Sequence, residues 1–438
     1  MALSGIQIYK LLPQTNCKDC GFPTCLAFAM KLAAKQVELG TCPHVSAEAK
    51  TQLAESSAPP IRLVSIKSKS HEVKAGNETV LFRHEKTFIN RPGFFIRIKD
   101  QEDIKQIEQK VKAVDSFKVN YVGIELMLDG FALEAVTGDA AKFSEAIRTT
   151  REHSQLPLIL ISKDPQMIRE GLKQLSGEAP LVVGANQENW EGMTDAVKAH
   201  PAALAASSSV LDEIVDLTEK IKSKGVEDIV LHPLSDKFSS QLSFNTQVRR
   251  LSLKKNFRPL GYPILIEAHD LDIAAQAISK YAGFIILDEF VPENAYPLLV
   301  LRQNIYTDPQ KPIQVQPGLY EINRPQPDSP VLVTTNFSIT YFSVANEVEG
   351  SGLPAWLLVT DAEGMSVLTA WAAGKFDAER IARAVKTQAA EKVTKKVLVL
   401  PGNVAVLSGE VEAELPGWQV KVGPREAVDI PKFLKIGL

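Results

Sequence analysis

Short apolar runs recur along the middle of the chain, each followed by a longer stretch in which apolar residues return every three or four positions. The runs are TVLF (79–82), FFIRI (94–98), YVGIELML (121–128), LPLILIS (156–162), PLVVGA (180–185), PAALAAS (201–207), DIVLHP (228–233), PILIEA (263–268) and FIILDE (284–289). Bounded runs of this kind read as buried strands, and the 3.6-period stretches between them as helices. Eight or nine strand–helix repeats in about 260 residues predict a (β/α)8 TIM-like barrel rather than an open sheet.

Two breaks frame that region. AESSAPP (54–60) and EINRPQPDSP (321–330) interrupt the periodic pattern with Pro and small residues, as linkers do. They predict a module over 1–58, the barrel over 59–322 and a last domain over 323–438. In the last domain VLVTT (331–335), AWLLVTD (355–361), VLTAW (367–371), KVLVLPG (396–402) and WQVKVGP (418–424) read as strands, with a helix over 377–392. Five strands with crossovers predict a small doubly wound, Rossmann-like α/β domain. In the first module 26–39 reads as an amphipathic helix stopped by Gly40.

Composition adds mainly exclusions. With 438 residues, 45% apolar and 23% charged, the chain is ordinary for globular proteins. A net charge of −3 gives no electrostatic reason to bind nucleic acid or an anionic membrane. The N-terminal stretch has no basic n-region leading into an apolar run, and no window of about 18 uninterrupted apolar residues follows, so a cytoplasmic protein is expected. That compartment decides how the four cysteines are read, because clustered thiols in a reducing environment more often bind metal than form disulfides. Cys17, Cys20, Cys25 and Cys42 space as C-x2-C-x4-C-x16-C. Structural zinc usually takes two separated C-x2-C pairs, whereas tight thiolate runs hold iron-sulfur clusters. A 4Fe-4S cluster is the first reading and zinc the second. Gly21 and Pro23 suit a loop that folds closely around such a core.

If the middle region is a barrel, Glu125, Asp129, Ser162, Asn186, His232, Glu267, His269, Asp288 and Glu289 are expected at the carboxyl ends of its strands, where barrel sites form. They make no metal triad, no phosphate-cradling loop and no nucleophile–base pair, which favours a scaffold over a catalyst. The strand ends of the last domain, 334–336, 360–364, 369–373, 401–403 and 423–425, are mostly small and uncharged and carry hydroxyls. Such a mouth suits a large flat or neutral ligand better than a triphosphate. All seven histidines precede residue 270, so the last domain has no imidazole to give a metal.

Taken together, the module NCKDCGFPTCLAFAMKLA, the barrel and the α/β domain resemble the large (gamma) subunit of the corrinoid iron-sulfur protein of the anaerobic acetyl-CoA pathway, part of the acetyl-CoA synthase/decarbonylase system. The resemblance implies a methyl carrier. A corrinoid, base-off and with no histidine ligand, would take a methyl group from methyl-tetrahydrofolate or a methyl-tetrahydropterin through a separate methyltransferase and pass it to acetyl-CoA synthase. The 4Fe-4S cluster, on Cys17, Cys20, Cys25 and Cys42, would return oxidised cobalt from its +2 to its +1 state. A small barrel subunit would complete a heterodimer. Many corrinoid proteins carry D-x-H-x-x-G, and TDAEG (360–364) lacks the histidine, which agrees with this family. For the corrinoid the resemblance points to Thr335, Thr340, Asn346, Gly364, Thr369, Ala370, Trp371, Ala372, Ala373, Gly423, Pro424 and Arg425. No protein group is assigned a catalytic role, since the cofactor's metal is the nucleophile. Two other classes stay open: an iron-sulfur electron-transfer or reductive-activator component without its own corrinoid, and a zinc-stabilised scaffold.

Overall fold

Strands β3 (Gly93–Lys99), β6 (Gly130–Glu134), β7 (Leu158–Ile161), β8 (Leu181–Ala185), β9 (Ala203–Ser208), β10 (Ile229–Pro233), β11 (Ile264–Ala268) and β12 (Ala282–Leu287) pair in chain order, and β12 closes on β3. Every pairing is parallel. The result is a closed eight-stranded barrel with a helix after each strand. Both strand faces are buried, as parallel strands between a core and covering helices must be. Phe95, Ile159, Ile161, Val183, Val230, Leu265 and Phe284 share the inner cluster. An antiparallel hairpin of β1 (Val64–Lys67) and β2 (Glu72–Ala75) adds Val64, Ile66 and Ala75 to it. Lys67 bridges to Ala179, just before β8, so the hairpin covers the amino end of the barrel. Asp139, Asp164 and Asp270 cap the helices that leave the opposite end.

This computed structural model describes residues 4–33, 36–37, 39–46, 49–50, 53, 59–121, 124–235, 237–308 and 313–436. The expected linker at 54–60 therefore lies largely outside the described residues. The chain divides into two compact units, Met1–Phe117 with Met127–Tyr306, and Lys118–Leu126 with Thr307–Leu438.

Three expected strands need correction. The run 121–128 is not in the barrel: β4 (Lys118–Tyr121) and β5 (Ile124–Met127) form a separate two-stranded sheet, and residues 118–126 belong to the second unit, where the Tyr121 ring packs tilted against Phe342, centroids 6.3 Å apart. The barrel strand is β6, which begins on Gly130. A Cβ there would lie 2.3 Å from the Pro157 carbonyl oxygen and 2.5 Å from the Phe95 ring, so the position excludes the side chain a hydropathy reading needs. TVLF (79–82) is a loop held by side chains, with Arg249 donating to the Val80 carbonyl at 3.0 Å. VLTAW (367–371) is the helix Val367–Ala372, burying Val367 and Ala370 and exposing Leu368 and Trp371, a period of three rather than two.

In the second unit the strand order is β13 (Gly318–Ile322), β15 (Ala355–Thr360), β14 (Val331–Thr335), β16 (Val397–Leu400), β17 (Gln419–Val422). All pairs are parallel except β13, an antiparallel edge strand that the Pro-rich boundary concealed. One face packs Val331, Val333, Leu358 and Phe376, and the other Leu332, Leu357, Val348 and Ile430. The chain runs from β14 to β15 on one side, then crosses to β16 on the other. Ligand crevices open at such a reversal, beyond the carboxyl ends of the strands. Among the described residues no helix is long and apolar enough to cross a membrane.

Candidate functional site

The cysteines occupy a small helical module. Helices α1 (Gly5–Leu11) and α2 (Cys25–Ala33) pack Ile8, Leu12, Phe28 and Ala29 with Val45. Cys25 and Cys42 are buried in that cluster, Cys20 is half-buried and Cys17 exposed, all as free thiols. A 3-10 turn, Leu39–Thr41, delivers Cys42. The loop before α2 puts Gln14, Asn16, Lys18 and Gly21 in left-handed backbone (φ 60°, 51°, 71° and 81°). Alternation of this kind turns successive amides toward one concavity, the nest geometry of many anion and iron-sulfur sites. His44 Nε2 lies 2.6 Å from Asp19 Oδ2. That hydrogen bond, followed by one from Cys17, holds the Asp19 carboxyl below its usual range.

The donor set suits a cluster. A tetrahedral zinc with a Zn–S bond of about 2.3 Å would draw its sulfurs to about 3.8 Å apart. Among the described residues the ligand atoms that close to within 4.8 Å are those of Cys17, Asp19 and His44, not three of the thiols. Four thiolates from one short module are the donor set of a multi-iron core.

A cavity of about 270 Å³ opens where the order of the second sheet reverses, at the ends of β14, β16 and β17. Thr340, Gly423, Pro424 and Arg425 line it, and so does Thr334. The Thr334 and Thr335 hydroxyls are buried (1% and 0% residue exposure) and have no hydrogen-bond partner. An unpaired buried hydroxyl costs about 1–3 kcal/mol, so the one at the cavity, on Thr334, marks a place built for a partner, whereas Thr335, next along the strand, turns to the other face and is not in the lining. Gly402 shapes the rim. A Cβ there would sit 2.5 Å from the Gly423 carbonyl oxygen and 2.8 Å from the Arg425 amide nitrogen, so its absence lets the 423–425 loop close over the end of β16.

The other expected residues lie outside this lining. Asn346 is exposed on helix Ser338–Ser351. Gly364, left-handed at φ 72°, donates its N–H to Asn336 Oδ1 at 3.0 Å. Thr369, Ala370, Trp371, Ala372 and Ala373 follow the wall on the short helix, whose Val367 and Leu368 reach the cavity instead. Sequence reading missed Ser343, Val344, Ile430 and Phe433. The Thr340, Ser343, Val344 spacing on one helix face was the available signal. The last helix, Ile430–Ile436, carried none.

At the barrel mouth Arg97, 5% exposed, is spent internally. Its Nε donates to Asp288 at 2.8 Å, Nη1 to Glu134 at 2.7 Å and Nη2 to Glu267. His232 Nε2 lies 3.1 Å from Glu267 and its Nδ1 3.0 Å from Ser207, while His269 meets Asp288 at 2.7 Å. Burial opposes the guanidinium charge, but Glu267 and Glu134 outweigh it and raise the Arg97 pKa. Burial likewise opposes the Glu267 charge, yet His232 and Arg97 hold its carboxyl at about 2. Ser162 and Asn186 accept backbone amides of their own turns, and Glu289 is exposed. Two expected mouth residues are elsewhere. Glu125 lies on β5, paired with Lys118 at 2.9 Å. Asp129 precedes β6 at the amino end, where it accepts from Phe94 N at 2.9 Å and pairs with Arg302. The mouth is held by an ion-pair network centred on Arg97.

Comparison with known proteins agrees with this layout. Residues 63–434 match the family described as "CO dehydrogenase/acetyl-CoA synthase delta subunit", and residues 12–44, which span all four cysteines, match the family described as "Putative Fe-S cluster". The corrinoid/iron-sulfur protein large subunit of Moorella thermoacetica is 41% identical over 100% of both chains. The acetyl-CoA decarbonylase/synthase complex subunit gamma of Archaeoglobus fulgidus is 34% identical over 99% of this chain and 98% of its own. Among solved structures, Burkholderia cenocepacia dihydropteroate synthase covers 56% of this chain and 97% of its own at 13% identity and a TM-score of 0.39, too distant to carry an argument. The chain therefore belongs to the CO dehydrogenase/acetyl-CoA synthase delta subunit family, and its full-length relatives are corrinoid/iron-sulfur protein large subunits and acetyl-CoA decarbonylase/synthase gamma subunits.

Proposed function

We propose that this protein is a methyl carrier that binds a corrinoid at the β14/β16 mouth and a 4Fe-4S cluster on Cys17, Cys20, Cys25 and Cys42. Its expected division into a cluster module (1–58), a scaffold barrel (59–322) and a corrinoid domain (323–438) is kept in function, with 118–126 and 307–322 assigned to the corrinoid domain. When bound, the corrinoid supplies the atom that accepts and donates the methyl group, and the cluster supplies the electron that returns oxidised cobalt to its +1 state. The protein's part is to hold and shield. Thr334 offers its hydroxyl toward the ligand, and Arg425 stands at the rim. Leu332, Val399 and Phe433 exclude water from the cavity wall. A volume of about 270 Å³ takes only part of so large a ligand, such as its nucleotide tail. The flat macrocycle would then rest on an exposed apolar rim, Ile339 (65%), Leu368 (49%) and Trp371 (43%). With no histidine after residue 269, the second unit would offer a bound corrinoid no imidazole of its own. Arg97 and its carboxylates, engaged with one another at the barrel mouth, support assigning chemistry on the methyl-donor pterin to a separate methyltransferase. A small barrel subunit and acetyl-CoA synthase are the remaining partners in this cytoplasmic reading.

The observation that carries the proposal is the buried, unpartnered Thr334 hydroxyl on the cavity wall. Anaerobic purification with parallel iron, sulfide and cobalt analysis and an ultraviolet-visible spectrum tests it. About four irons with sulfide and a cobalt absorption band are expected. Iron without cobalt, even after incubation with corrinoid, would replace the proposal with the electron-transfer component, and zinc without sulfide with the scaffold.

A further inference from the structure

The thiols alone do not explain the shape of the cysteine loop. Helix α2 starts at Cys25 and is capped by Thr24, whose Oγ1 accepts the Ala27 amide at 3.0 Å and whose carbonyl accepts the Phe28 amide at 3.1 Å. The Cys25 N–H is then one of the first-turn donors that a helix leaves unpaired. Here it is taken from nine residues upstream, by Asn16 Oδ1 at 2.8 Å. Asn16 has φ 51°, a left-handed conformation that asparagine adopts at less cost than most residues with a side chain. One residue thus meets two demands: it turns the chain into Cys17 and ties that turn to Cys25.

We propose that Asn16 is a positioning residue for the cluster, holding Cys17 and Cys25 in register before metal arrives and withholding the Cys25 amide from the cluster sulfurs. The inference rests on the reading that the four cysteines hold a 4Fe-4S cluster. Hydrogen bonds to cluster sulfurs help set the reduction potential. An amide released toward a sulfide stabilises the more negative, reduced cluster, so loss of the Asn16 acceptor should move the potential upward.

The test uses the full chain, reconstituted anaerobically. Asn16→Gly keeps the left-handed backbone and removes the acceptor, whereas Asn16→Asp keeps both the backbone preference and an acceptor of the same reach. Resistance of bound iron to a chelator is expected to fall about tenfold in N16G, the size of effect typical when a group supporting a metal ligand is lost. The reduced electron paramagnetic resonance signal should change and the potential rise. N16D should retain iron and sulfide as the wild type does. N16G equal to wild type in retention, signal and potential overturns the role of Asn16 while leaving the cluster in place. Loss of iron in N16D as severe as in N16G also overturns it. Wild-type protein that takes up no iron and sulfide overturns the cluster reading, and the assignment falls with it.

Discussion

Replacing Thr334 with Val separates stability from binding. Valine keeps the shape of the side chain and exchanges a hydroxyl for a methyl group. In the ligand-free protein that hydroxyl is buried at 1% exposure with no partner, a condition that costs about 1–3 kcal/mol. Thr334→Val should therefore raise the stability of the ligand-free second unit by about 1 kcal/mol, once imperfect packing of the methyl group is allowed for. If the hydroxyl meets the corrinoid, the variant also loses a hydrogen bond worth a net of about 0.5–1.5 kcal/mol, an affinity about 2- to 12-fold weaker. Urea unfolding of the ligand-free protein reads the first effect, and absorbance titration with corrinoid the second. Thr335→Val, whose hydroxyl is equally unpaired but whose side chain is not part of the lining, should show the stability gain with a smaller affinity loss. A Thr334→Val protein that is less stable ligand-free, or that binds corrinoid as tightly as wild type, refutes the reasoning.

Three further outcomes are expected. Cys20→Ala should lower iron and sulfide content and abolish reductive reactivation of oxidised cobalt, while methyl transfer from already reduced protein persists; normal reactivation would remove the cluster from this role. Arg97→Met leaves Glu134, Glu267 and Asp288 without their shared cation, at a cost of about 3–5 kcal/mol, read from urea unfolding and from faster hydrogen exchange in β3, β6, β11 and β12. Because Glu267 sits at about 2 in the folded protein against 4.5 ordinarily, its contribution is complete above pH 4.5 and is lost as pH falls toward 2. The deficit of Arg97→Met should narrow over that window, and a pH-independent deficit would contradict the ionic account. Gly402→Ala places a methyl group within 3 Å of the 423–425 backbone; a loss of about 1–3 kcal/mol is expected, with weaker corrinoid binding in the same titration.

Local chemistry explains where sequence reading succeeded. Seven barrel strands announced themselves because strands buried on both faces must be continuously apolar, and the four thiols because metal-binding loops need close spacing. The eighth strand escaped because Phe95 fills the space a side chain at residue 130 would need, while a longer apolar run just before it belonged largely to the other unit. Val367–Ala372 misled for a related reason: a five-residue apolar run does not distinguish a period of two from one of three.

The sequence by itself determined the barrel repeat, the doubly wound last domain, the cysteine set and the absence of histidine beyond residue 269, since each depends only on composition and on spacing along one segment. Only the tertiary structure decided that Arg97 collects Glu134, Glu267 and Asp288 from the ends of three other strands at the barrel mouth. It alone placed Phe433, from the last helix, in the wall of a cavity lined by Thr334, a hundred residues earlier. It alone tied Asn16 to Cys25. Burial without a partner, neutralisation among distant charges and close backbone approach are properties of atoms brought together from far along the chain, and no local pattern encodes them.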